Sequence, residues 1–111
     1  ATNELSESDS RYLGLIENYT SPGETIQILG NKTFIYLLSD RKACSRFMYI
    51  PPYDFINTDF YQDMIFPDIR EKLSKGIPQV IIVTKEELLP FFSAELSDMY
   101  IEVEKNIFVI K

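Results

Sequence analysis

The chain has no histidine, no tryptophan and a single cysteine, Cys44, among its 111 residues. Without histidine there is no Ser-His-Asp triad, and no imidazole to ligate zinc, haem or iron. One cysteine closes no internal disulfide and builds no cysteine-only metal site, so thiol usage leaves the redox compartment open. Glycine is sparse at four residues, too few for a glycine-rich phosphate cradle. Long apolar runs are missing as well. The longest, Phe34-Ile35-Tyr36-Leu37-Leu38, falls far short of the ~18–20 residues that span a bilayer. The N-terminus does not show the basic-then-apolar pattern of a signal peptide.

What remains is the composition of an ordinary globular domain, 45% hydrophobic and 25% charged. The length fits one domain, residues 1–111, and suffices for a core without covalent staples. The opening ATNELSESDS carries no methionine and reads as the start of a piece excised from a longer protein.

Charge is acidic overall, with 11 Lys+Arg against 17 Asp+Glu and a formal net charge of −6. That balance argues against nucleic acid as a partner, because phosphate contacts need a basic stripe. One segment has the opposite sign: between residues 25 and 50, Lys32, Arg41, Lys42 and Arg46 face only Asp40. An anion is therefore to be sought there, against the simpler alternative that these cations balance acidic neighbours.

The pattern along the chain predicts alternating helices and strands. Tyr12, Leu15, Ile16 and Tyr19 recur at helical spacing, with Ser8 or Asp9 as a cap and Ser21-Pro22-Gly23 as the stop. Thr25–Leu29 alternates and is β-branched, a strand. Gly30-Asn31 ends it, and Asn31 is placed to cap a helix over 32–39. A second strand is predicted over 45–50, closed by Pro51-Pro52. Thr58 caps a helix from Asp59, with Phe60, Met64, Phe66, Ile69 and Leu73 as its apolar positions and a kink or split at Pro67. Gly76 and Pro78 end that helix after Lys72 and Lys75.

Gln79–Thr84 contains four consecutive apolar residues, as in a strand buried on both faces of a sheet. Thr84 and Glu87 have capping-box spacing for a helix with the stripe Leu88, Phe92 and Leu96. Residues 100–104 and 107–110 flank Lys105-Asn106 as a hairpin. The order α-β-α-β-α-β-α-β-β predicts an α/β domain, a small three-layer Rossmann-like or flavodoxin-like fold. Its sheet is expected to be mostly parallel, with the C-terminal antiparallel hairpin at one edge. Ligands of such sheets bind at the carboxyl ends of the strands, here Gly30-Asn31, residues 51–54 and residues 84–86.

No catalytic constellation emerges, and neither a metal nor a cofactor is called for. The segment around Gly30-Asn31 has neither of the common phosphate-binding glycine patterns, so a tight turn with a cap is the simpler reading. Nearby Arg41, Lys42 and Arg46 are placed to lower the pKa of Cys44, although a cysteine beside a strand is more often a small core residue. Asp54, Asp59 and Asp63 are acids without a fixed pairing distance, and spaced acids on a helix are usually solvated. Asn18-Tyr19-Thr20 and Asn31-Lys32-Thr33 match the glycosylation sequon, a match common by chance. The candidate ligand-binding residues are Asn31, Arg41, Lys42, Arg46, Tyr49 and Tyr53. Guanidinium suits phosphate or carboxylate, and tyrosine suits sugars or lipid headgroups. The same cations suit a helix C-terminus and an ion pair equally well.

Four stretches in order resemble a family. Thr20–Gly30 reads T-x-P-x-E-x-I-x-I-x-G, Tyr36–Arg41 reads Y-x-L-S-D-R, Ser45–Tyr49 reads S-R-F-x-Y, and Lys75–Val83 reads K-x-x-P-x-V-I-I-V. Together they resemble the C-terminal extracytoplasmic region of bacterial multi-spanning membrane glycosyltransferases of the GT-C, dolichyl-phosphate-mannose-mannosyltransferase-like class. The resemblance covers about residues 10–84. Asp40 departs from it, where family members often carry glycine, as does Pro51-Pro52, and the C-terminal hairpin has no counterpart.

The resemblance implies a soluble accessory domain, non-catalytic by itself, of an enzyme that uses a lipid-phosphate sugar donor. It implies a place on the extracytoplasmic (periplasmic) face of the inner membrane, with residues 1–8 a poorly ordered lead-in from a membrane region. Its partners are then the transmembrane region of its own chain, and a lipid-linked sugar or acceptor. No catalytic residue of the family maps onto this chain. Two alternatives stand beside it: a free-standing α/β module that binds a small anion or a protein partner, and a small enzyme on a flavodoxin-like scaffold.

Overall fold

A computed structural model, which describes residues 7–30, 32, 34–44 and 61–111, follows the expected alternation of helices and strands. Helix α1 (Glu7–Tyr19) buries Ile16 and packs Tyr12, Leu13 and Leu15 beside it, the amphipathic face that the spacing predicts. Its expected caps are not caps. Ser8 and Asp9 lie inside the helix, and Asp9 is 6% exposed because its carboxylate turns inward to Lys32 Nζ at 2.8 Å. The helix closes where Thr20 N–H donates to Ile16 O at 2.9 Å, before Gly23 takes a positive φ of 95° in the turn.

Strand β1 (Thr25–Leu29) has the predicted bounds and runs parallel to two neighbours. Helix α2 (Phe34–Ser39) is shorter than expected, and Asn31 lies outside the described residues. Asp40 follows in the left-handed conformation, φ 56°, the conformation that glycine takes most readily. Asp40→Gly is expected to stabilise the chain by about 0.5–1 kcal/mol, read as a shift of the urea midpoint, because the strain at a helix end outweighs the added chain entropy. Strand β2 (Lys42–Ala43) pairs with β1 directly after that turn. The strand expected over 45–50 lies outside the described residues.

A π-helical turn (Tyr61–Ile65) leads into helix α3 (Phe66–Ser74). The expected starts at Thr58, Asp59 and Phe60 lie outside the described residues. Pro67 stands in the first turn of α3, where its missing N–H costs nothing, so it begins a helix and does not kink one. The wider π turn also changes which residue faces inward. Ile65 is buried and Met64, an expected core position, is exposed. Gly76 then takes φ 65° and ends the segment as predicted.

Strand β3 (Val80–Val83) is buried at every position. A short 3₁₀ turn (Glu86–Leu88) precedes helix α4 (Leu89–Met99), which buries Phe92 and Leu96. The capping box expected from Thr84 and Glu87 is not formed. Lys85 stands at the cap position and makes no side-chain capping bond there, and Thr84 Oγ1 donates to Leu29 O at 3.4 Å. Strands β4 (Tyr100–Glu104) and β5 (Ile107–Ile110) form the predicted hairpin, with Asn106 at φ 65° in its turn.

Among the described residues five strands make one mixed sheet in the order β2-β1-β3-β5-β4. Strand β1 pairs in parallel with β2 and β3, and β5 pairs antiparallel with β3 and β4, so the sheet is evenly mixed and not mostly parallel as the pattern predicts. Alternation along β1 and β3 divides the apolar interior in two. Ile26, Ile28, Val80, Ile82 and Ile107 cluster with Ile16, Ile35 and Tyr36 of the first two helices. Leu29, Ile81 and Val83 cluster with Phe66, Ile69, Leu73, Leu88, Phe92 and Leu96 of the later ones. Among the described residues, no helix is long and apolar enough to cross a membrane.

Candidate functional site

The carboxyl ends of β1 and β3 come first, because parallel sheets bind ligands there. Leu29 O accepts N–H bonds from Thr84 at 3.1 Å and Lys85 at 3.3 Å, drawing the two ends together. They touch so closely that a Cβ on Gly30 would lie 1.7 Å from Thr84 Oγ1. The Thr84 side chain occupies the space over Gly30. Polar groups around it are engaged with one another: Lys32 with Asp9 at 2.8 Å, and Asn106 Nδ2 with Glu86 at 2.9 Å. The Asn106 hydrogen bond, aided by the nearby Lys105 charge, holds the Glu86 carboxyl below its ordinary range.

The predicted cations stand elsewhere. Lys42 is paired in register with Thr25, the first residue of β1, so Arg41 and Lys42 lie at the amino end of the parallel strands. Gly30 and Thr84 lie at the opposite end. Arg41 is 8% exposed, and its guanidinium is held by two chain segments. Its Nε donates to Thr20 Oγ1 at 2.8 Å, Nη2 to Thr20 O at 3.2 Å, and Nη1 to Ser39 O at 2.8 Å. These acceptors sit at the carboxyl ends of α1 and α2, where a cation is favoured by both helix dipoles. Lys42 is exposed on the short edge strand. Asn31, Arg46, Tyr49 and Tyr53 lie outside the described residues, as do residues 51–54.

Where β2 stops, side chains finish the ladder of β1. Ile28 N–H donates to the Tyr36 hydroxyl at 2.7 Å, and Gln27 Nε2 donates to Ile28 O at 3.3 Å. Burial raises the Tyr36 phenol above its ordinary value, which keeps it neutral. Tyr36→Phe would leave the buried Ile28 N–H without that partner. A loss of about 1–3 kcal/mol in unfolding free energy is expected in urea titration, with no change of fold.

Cys44 does not become reactive through its basic neighbours in sequence. Its thiol donates to Gln27 Oε1 at 3.2 Å, and burial pushes it from 9.0 up to about 12, the Lys72 charge offsetting only part of that. Protonation is thus retained in the folded chain after the unfolded chain has lost it. Stability is complete below about pH 9 and is lost as pH rises through 9 to 12, because the unfolded state releases the proton first. Chemical denaturation at a series of alkaline pH values should show this fall, reduced in Cys44→Ser. Thiol alkylation near pH 8 should be far slower in the folded chain than in urea. Asp63 is exposed, while Asp54 and Asp59 lie outside the described residues. Among the described residues no group of three His, Cys, Asp or Glu side chains is placed to hold a metal ion.

One surface was not anticipated. An open groove of about 520 Å³ runs between α4 and the hairpin, lined by Leu89, Pro90, Leu96, Tyr100 and Phe108 with Ser93, Ser97 and Glu102. Beside it β4 is the last strand of the sheet among the described residues, with Ile101 54% and Val103 37% exposed. The signal in the sequence was the run Tyr100-Ile101-Glu102-Val103-Glu104, whose alternation suits a strand with water on one side. No protein-family model, curated protein or solved structure matches the chain.

Proposed function

We propose that this chain is a non-catalytic accessory domain, of the kind carried outside the membrane by multi-spanning glycosyltransferases that use lipid-phosphate sugar donors. The observation that carries this is where the residues of the family-like stretches spend their polar groups. Thr20 is bonded to Arg41, Ile28 to Tyr36, and Ser39 to Arg41, while Gly30 abuts Thr84. Glu24 Oε1 accepts the Ser21 N–H at 2.6 Å across the turn. A pattern whose members bind one another maintains a fold and leaves the chemistry to another part of the protein. The two apolar clusters divided by β1 and β3 support a three-layer, Rossmann-like reading of that fold.

In this account the domain sits on the periplasmic face of the inner membrane, with the transmembrane region of its own chain as partner. The donor sugar and acceptor are handled there. The open reading frame upstream of Ala1 tests it. Several apolar spans of about 20 residues are expected in the encoded protein. An initiation codon within a few residues of Ala1 would contradict the proposal. The open groove beside β4 favours one alternative, a free-standing module that binds a protein partner.

A further inference from the structure

We propose that the edge of β4, the last strand of the sheet among the described residues, takes up an extended, basic peptide segment of another protein, which adds a further strand to the sheet. The inference deepens the accessory-domain account by naming a docking surface, and its test does not depend on what precedes Ala1.

Three features of one edge point to a strand. Lys111 N–H donates to Met99 O at 3.0 Å, and Ile101 pairs with Val109, so alternate residues from 99 face β5. The peptide groups of Glu102 and the carbonyl of Tyr100 therefore point outward, while Tyr100 N–H is spent on Leu96 O. On one face of this edge, Tyr100 and Glu102 form a wall of the apolar groove. On the other face, Ile101 and Val103 stand exposed. An added strand answers all three at once. Its backbone pairs with Glu102 and Tyr100, its alternate side chains enter the groove, and the others cover Ile101 and Val103.

Charge selects the occupant. The stretch from 86 to 104, which supplies all of the groove's lining except Phe108, contains Glu86, Glu87, Glu95, Asp98, Glu102 and Glu104 and no Lys or Arg. Among the described residues, cations reach it from other parts of the chain: Arg11 meets Glu104 at 3.5 Å, Lys105 meets Glu86 at 3.5 Å, Lys111 Nζ donates to Ser97 O at 3.1 Å, and Arg70 Nε donates to Phe91 O at 3.0 Å. Glu102 Oε2 accepts the Asn106 N–H at 2.9 Å, which ties that carboxylate to the hairpin turn. A second copy of this chain is a poor occupant. Two antiparallel β4 edges would set Glu102 and Glu104 against like charges, and the register irregularity between those residues bends the edge away from such pairing. A lysine- or arginine-bearing strand with alternating apolar residues meets no such opposition.

Selection from a random dodecapeptide display library against the immobilised chain tests this. Enriched peptides should alternate apolar residues and carry Lys or Arg. A synthetic copy of one should shift the amide resonances of residues 100–105 and 108. Its affinity should fall at least tenfold in Ile101→Lys and in Glu102→Lys, each at an exposed site, and should be unchanged in Leu37→Lys on the far helix. Absence of enrichment, peptides that are acidic or lack alternation, or shifts confined to another surface would overturn the proposal. So would concentration-dependent self-association through β4 without peptide.

Discussion

Arg41→Ala is expected to destabilise the chain by about 3 kcal/mol or more, among the largest effects of any single polar substitution. The reason is that one side chain closes the ends of two helices. Truncation strips Thr20 O and Ser39 O of charged donors at 3.2 and 2.8 Å, in a place where Arg41 is 8% exposed and water is scarce. Hydrogen bonds to a charged group contribute about 1.5–3 kcal/mol each, and three are lost together, part of that being returned as side-chain freedom. Arg41→Lys should recover only a fraction. An ammonium keeps the charge at the helix ends but does not span three acceptors as a planar fork does. Urea unfolding followed by circular dichroism reads both variants. If Arg41→Ala were as stable as the parent chain, the guanidinium would not be a structural link.

Gly30→Ala is the second. The added methyl group would stand 1.7 Å from Thr84 Oγ1 and 3.1 Å from Thr84 Cβ, so the carboxyl ends of β1 and β3 must separate or Thr84 must turn. Turning it breaks the 3.4 Å bond to Leu29 O, the carbonyl that also takes the Thr84 and Lys85 amides. Overpacking of this kind costs about 1–3 kcal/mol, and the upper part of that range is expected because Gly30 is buried where the ends of β1 and β3 meet. Thr84→Ala removes the offending oxygen. The double variant Gly30→Ala/Thr84→Ala should therefore be more stable than additivity allows, by about 1 kcal/mol or more. Strict additivity would mean that the strand ends are not in contact.

The elements that were legible in the sequence are those whose pattern is local. Thr25–Leu29, Tyr100–Glu104 and Ile107–Ile110 declare themselves by alternation and turn residues, and Val80–Val83 by an unbroken apolar run. The misread positions are those decided by distant partners. Asp9 and Thr84 look like caps, but one is drawn to Lys32 and the other to Leu29 O. Met64 and Ile65 exchange places because a π turn, invisible in the periodicity, changes the inward face. Asp40 takes φ 56°, a conformation that glycine adopts most readily and that no local pattern around it announces.

For the candidate site the division is the same. The basic segment from Lys32 to Arg46 is plain in the charge count, but burial is not. Arg41 reaches across 21 residues to Thr20, and Lys32 across 23 to Asp9. Composition reports that cations are present, whereas packing decides whether they are free. The groove was hidden for a related reason. Its lining comes from Leu89 to Phe108, two walls that no local window joins.

The account rests on the family-like residues binding one another, and the Arg41–Thr20 pair tests that most directly. A double-mutant cycle of Arg41→Ala and Thr20→Val, read by urea unfolding, should give a coupling of about 1–3 kcal/mol. Losses that add to within about 0.5 kcal/mol would contradict the account, because the guanidinium and the threonine would then act independently.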